Sequence, residues 1–182
     1  MSTRAAAAGG AAAFLFGLWR ARTVDVAPWE HAALERLNAL PAPWSPMMRV
    51  VMQSGSLGSV FASAGLALVA GRARTAPRLA VAGLAAWIAA KAAKRMTGRK
   101  RPGHAIVRGR PQTGLGYPSG HAAVAAALAT VARPVLGNRG ALAARTAAAV
   151  TAAARVHVGA HYPLDVIGGS GLGVALGALA RT

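Results

Sequence analysis

In the stretch RVHVGAHYPLD, residues 155–165, an arginine, two histidines and an aspartate stand between two apolar segments, roughly Ala141 to Val158 and Pro163 to Leu179. Ionisable groups are expensive beside hydrocarbon, so a cluster of them there marks a functional site by default. Pro163 is suited to the first turn of a helix. His161 and Asp165 are four apart at that helix start, a spacing that lets the carboxylate hold one imidazole nitrogen while the other stays open.

Outward from this stretch the chain reads as apolar segments near the length of about 20 residues that crosses a hydrocarbon layer. Met47 to Ala70 is the clearest, followed by a basic turn from Gly71 to Arg78, then Leu79 to Ala93 and Ser119 to Leu136. Gly137 to Gly140 is the tightest turn, and a Gly and Pro loop runs from the basic cluster Lys91 to Arg101 up to Pro118. Near the N-terminus, Ala5 to Trp19 is short and rich in Ala and Gly; with no clear cleavage pattern after it, it is read as a retained helix. Residues 24–45 interleave charged and apolar residues, with Trp19, Trp29 and Trp44 around them, and read as an interfacial helix. Five glycines between Gly168 and Gly177 allow close helix contact in the last segment. The expectation is an all-α, polytopic membrane bundle of about six transmembrane helices. It forms one domain over residues 1–182, with an N-terminal span and interfacial helix in 1–45 and a catalytic core in 46–182.

Composition narrows the chemistry. Over half of the residues are apolar and mean hydropathy is +0.40, which points to a membrane. The net charge of +17 comes from 21 Lys and Arg against four acids, Asp25, Glu30, Glu35 and Asp165. From Arg36 onward the one carboxylate is Asp165. Magnesium, calcium and two-metal hydrolases need clusters of carboxylates, and glycosidases need a pair across the substrate, so none of these sets can be assembled. No metal or cofactor is expected. With no cysteine, thiolate sites and disulfides are excluded. The basic balance suits an anionic partner; the apolar segments between its clusters favour a phosphorylated lipid in a bilayer over nucleic acid.

Two more clusters accompany the first. In KRMTGRKRP, Lys94 precedes Arg101 and Pro102; in YPSGH, residues 117–121, Ser119 and Gly120 lie at a helix start with His121 next. Lys94, Arg101 and Arg155 can donate to phosphoryl oxygens, arginine in bidentate fashion, and the amides at Ser119 and Gly120 add an anion site at the helix N-terminus. His161, backed by Asp165, is suited to attack, and His121 to protonate a leaving oxygen. Singly, each cluster is weak, since a basic run is commonly a solvated juxtamembrane face and a His–Asp pair commonly a structural bond.

In order and spacing the three clusters resemble the three-part signature of the type 2 phosphatidic acid phosphatase superfamily, to which the vanadium haloperoxidases are related. The resemblance implies a phosphohistidine at His161, polarised by Asp165, with His121 as acid and Lys94, Arg101, Arg155, Ser119 and Gly120 holding phosphate. Ala154 departs from the serine often found before the motif's arginine. His104 and His157 match no motif position: His157 is expected at most to line the pocket, and His104 to lie in a loop near the head group. His31 is assigned to the interfacial helix.

The resemblance implies a phosphatase acting on a membrane lipid. Ala- and Arg-heavy composition hints at a GC-rich bacterial genome. Isoprenoid carriers therefore rank first as substrates, either polyprenyl diphosphate or the decaprenylphosphoryl-5-phosphoribose type of cell-wall synthesis. Phosphatidic acid or phosphatidylglycerophosphate ranks second. A non-catalytic anionic-lipid-binding protein and a transporter or flippase are the readings of other classes. The location implied is the bacterial inner membrane, multi-pass. Eight Lys and Arg fall on the side away from the site and thirteen on the site side, so the positive-inside rule alone points inward, while the family resemblance favours an outward-facing site. The sequence leaves the oligomeric state open.

Overall fold

A computed structural model describes residues 2–41, 43–107 and 112–182. The described residues form seven α-helices and no strand: α1 Thr3–Thr23, α2 Pro28–Asn38, α3 Trp44–Val51, α4 Leu57–Val69, α5 Thr75–Thr97, α6 Gly120–His157 and α7 Pro163–Leu179, with a 3₁₀ turn at Met52–Gly55. Residues 108–111 of the expected Gly and Pro loop lie outside the described residues.

α6 is two arms. A straight helix of 38 residues would hold its ends roughly 55 Å apart, yet Gly120 and Arg155 line one cavity. The reversal is at Gly137, whose φ of 64° is left-handed, a region open to glycine at little cost. The tight turn expected there is thus present. α7 packs against both α6 and α1, and its glycines make this possible. A Cβ on Gly10 would fall 2.6 Å from the Gly171 carbonyl oxygen, and one on Gly177 2.7 Å from that of Ala127.

Two expectations need correction. Met47 to Ala70 is not one continuous helix: Trp44–Gly55 and Leu57–Val69 meet at 65°. Ser56 starts a new helix there by accepting from the Ser59 amide, and Gly55 sits against the backbone of His121, closer than any side chain would allow. Nor is 24–45 a single interfacial helix, because α2 ends at Asn38 and α3 starts at Trp44. Among the described residues, by length and apolarity alone, the Gly120–His157 element passes as fit to cross a membrane, and the bent pair passes when its two parts are taken as one broken span; α1 and α5 have the length, 21 and 23 residues. The outward faces of α1, α4 and α5 are apolar, with Phe16, Phe61, Leu66, Val69, Val81 and Ile88 all exposed, which suits contact with lipid.

In this arrangement the N-terminus, the α4–α5 turn, Gly137 and the C-terminus lie at one end. The described residues of the segments 24–56, 98–119 and 158–162 gather at the other.

The α1–α7 contact predicts a contrast between adjacent glycines. Gly10→Ala should cost about 1–3 kcal/mol by overpacking. Gly9→Ala, which meets nothing within 4 Å, should gain about 0.5–1 kcal/mol. Thermal unfolding in detergent reads both, and equal effects would contradict the packing.

Candidate active site

Backbone hydrogen bonds stitch the three sequence clusters together. The Gly116 amide donates to the Arg99 carbonyl at 2.7 Å and the Ser119 amide to the Asp165 carbonyl at 2.8 Å. Arg101 Nη1 donates to the Ala160 carbonyl at 2.6 Å. Lys94 Nζ donates to the Leu115 and Gly116 carbonyls at 2.8 and 2.7 Å. Tyr117 is fully buried and its hydroxyl donates to the Phe14 carbonyl, which ties YPSGH to α1.

These contacts build a cavity of about 280 Å³ lined by Lys94, Arg101, Gly120, His121, Arg155 and His161 among others. Ser119 is the N-cap of α6, but its side chain makes no capping bond. Its buried hydroxyl, like Arg101 Nε and Arg155 Nε, has no hydrogen-bond partner among the described residues. Buried donors without partners are costly, and three of them beside the N-terminal turn of α6 suit a multi-oxygen anion. Arg155 is braced by Nη2 on Gln112 Oε1 at 3.0 Å. Lys91 and Trp87 add to the rim, with the Lys91 ammonium 3.9 Å from the indole centroid.

Asp165 stands behind His161. Its Oδ2 lies 3.3 Å from His161 Nδ1 and accepts from the Tyr162 amide at 3.0 Å. Arg101 Nη1 lies 3.1 Å from His161 Nε2. A guanidinium can only donate, so Nε2 accepts and the ring proton sits on Nδ1, toward the carboxylate. The lone pair therefore faces the cationic cavity. Burial above all, then the charges of Arg101, Arg155, Lys94 and His121, hold the His161 pKa well below the ordinary 6.5. Gly116 leaves room for this pair, since a Cβ there would fall 2.9 Å from Asp165 Oδ2.

All eight expected site residues thus gather at this end, six of them on the cavity wall, with Ser119 and Asp165 just behind it. His157 is a correction. It does not line the cavity but is fully buried, with Nδ1 on the Leu37 carbonyl at 2.8 Å and Nε2 on Ser45 Oγ at 3.0 Å. His104 is exposed in its loop and lies beside His31 of α2, ring centroids 5.2 Å apart. Sequence reasoning missed Glu30 and Arg99. Both are buried, and Arg99 Nη2 donates to both Glu30 carboxylate oxygens at 2.8 Å. The one signal available was the scarcity of acids, which makes any buried arginine compete for few partners. Among the described residues no three His, Asp or Glu side chains converge as metal ligands would.

A family model described as the PAP2 superfamily matches residues 75–182. No curated protein matches the chain. Among solved structures, one titled as the first transmembrane PAP2 type phosphatidylglycerolphosphate phosphatase from Bacillus subtilis is similar at a TM-score of 0.78 and 21% identity, covering 95% of this chain and 94% of that one. Aquifex aeolicus LpxE is similar at a TM-score of 0.78 and 19% identity, covering 87% of this chain and 98% of its own.

The tautomer and its electrostatics are measurable in the free protein. Because the imidazolium is disfavoured, His161 should remain neutral with its proton on Nδ1 at pH 6.5, where an ordinary histidine is half protonated. Nitrogen chemical shifts of labelled histidine in detergent report this. A His161 that titrates at or above 6.5 would contradict the arrangement.

Proposed function

Because the chain belongs to the PAP2 superfamily, a family of phosphatases, we propose that it is a metal-independent membrane lipid phosphatase working through a phosphohistidine. The observation that carries this reading is the single cavity in which Lys94, Arg101, His121, Arg155 and His161, drawn from separated segments, converge. No carboxylate lines it, so it selects for negative charge.

In this reading the phosphoryl group displaces His161 Nε2 as the partner of Arg101 and takes the unpaired donors of Arg155 and Ser119. The Nε2 lone pair attacks phosphorus, an N–P bond forms, and the P–O bond to the lipid breaks. The phosphate brings the negative charge that lets His121 hold a proton among Arg101, Arg155 and Lys94, and that proton passes to the leaving oxygen. Asp165 offsets the positive charge developing on the His161 ring. Water, with His121 now as base, then cleaves the N–P bond and frees inorganic phosphate. The cationic donors stand where the transferring group's charge builds up, which is the main lever in phosphoryl transfer.

An isoprenoid carrier is the substrate class we favour. An open apolar cavity of about 590 Å³ lies between α4, α5 and α6, lined by Leu66, Leu79, Leu128, Val135 and Leu136 among others. It starts at Ser54, beside the Gly55 and Ser56 wall of the phosphate cavity. A chain seated there would run along α4 toward the opposite end. The diacyl alternative, phosphatidic acid or phosphatidylglycerophosphate, draws on the fold shared with the Bacillus subtilis structure. We place the protein in the bacterial inner membrane with this site outward, as one catalytic domain over residues 1–182.

The test is phosphate release from a panel of polyprenyl and glycerol lipid phosphates by purified protein in detergent. Release should survive EDTA, fall with vanadate and be lost in His161→Ala. Strict magnesium dependence, or an active His161→Ala variant, would refute the scheme, and a preference for diacyl substrates would replace the isoprenoid assignment.

A further inference from the structure

We propose that Glu30 and Arg99 are positioning residues for the Asp165–His161 pair. The inference rests on the phosphohistidine reading above and adds two residues to it, one of which lies outside the segment that the family model matches.

Arg99 sits between two carboxylates. Its Nη2 donates to both oxygens of Glu30 at 2.8 Å, while its Nε lies 3.7 Å from Asp165 Oδ1, too far for a hydrogen bond. Arg99 and Glu30 side chains are 6% and 3% exposed and Asp165 is fully buried. Glu30 is itself well held: Oε1 accepts from the Ala27 amide at 3.2 Å, and Oε2 from the Leu164 amide at 3.3 Å. The second of these bonds fixes the backbone immediately before Asp165.

The consequence follows from guanidinium chemistry. Arginine forks strongly onto whichever carboxylate it reaches. Glu30 occupies the Nη2 end of that fork, so Arg99 offsets the charge of Asp165 without capturing its oxygens. Asp165 Oδ2 then stays on His161 Nδ1, and its charge remains available as the ring becomes positive. With Glu30 neutral, Arg99 is free to close on Asp165 and draw it off the imidazole. A plain structural ion pair joining α2 to the site loop would lack this coupling.

The test is a double-mutant cycle on the full chain, purified in detergent, with kcat, KM and vanadate inhibition measured for Glu30→Gln, Asp165→Asn and the double variant. Glu30→Gln should lower kcat about tenfold with KM and vanadate inhibition nearly unchanged, yet less than about twofold when Asp165→Asn is already present, because the carboxylate it serves is gone. Unchanged kcat, or the same fractional loss in both backgrounds, overturns the proposal. If Glu30→Gln does not fold, Glu30→Asp enters the same cycle under the same criteria; failure of both to fold assigns Glu30 to the fold and also overturns it. Wild type inactive against every lipid phosphate would remove the phosphatase reading and this inference together. Additive losses in an active enzyme remove only this inference.

Discussion

The Asp165 carboxylate, fully buried in a chain with no other acid after Glu35, is the constraint around which this end of the molecule is arranged. A charge taken out of water must be met by partners, or it neutralises and its purpose is lost. The partners here are the Tyr162 amide, the His161 ring and, at longer range, Arg99. Arg99 in turn needs an acid of its own, and Glu30 of α2 supplies it. One carboxylate therefore links the loop before α7, the segment that follows α5 and, through Arg99, helix α2. The N-terminal segment, which lies outside the family match, is drawn in as part of the same electrostatic unit.

In front of that carboxylate the sign of charge reverses. Lys94, Arg101 and Arg155 face one cavity, where they repel one another, and each is partly held by neutral acceptors: the Leu115 and Gly116 carbonyls, the Ala160 carbonyl and Gln112. Neutral acceptors fix position without cancelling charge. The result is a preorganised cationic pocket backed by an ion pair, a layout in which an anion gains most from its last bonds. The cost is repulsion without ligand, and extensive backbone stitching offsets it.

Much of this was legible in the sequence. The spacings within KRMTGRKRP, YPSGH and RVHVGAHYPLD identified side chains that do face one cavity, because each cluster sits at a helix end where local geometry governs direction. The turn at Gly137 was legible for the same reason. What escaped notice depended on contacts distant in sequence. The break after Gly55 lies where the 3₁₀ turn packs against the His121 backbone in the first turn of α6, and hydropathy over 47–70 carries no trace of it. Glu30 read as part of an interfacial helix, flanked by Trp29 and His31, whereas its guanidinium partner 69 positions later looked like one more member of a basic run. His157 seemed a pocket residue by helical spacing from His161, but that helix has ended by Val158, and the ring turns toward α2 and α3 instead.

The central claim is that the His161 Nε2 lone pair, steered by Asp165, takes the phosphoryl group. Rapid quenching of the enzyme with a substrate radiolabelled in its transferable phosphate tests this most directly. The account predicts acid-labile, base-stable label on Nε2 of His161, formed within one turnover and absent from His161→Ala. Label on another residue, or phosphate released in a single turnover with no labelled protein at any time, would contradict it.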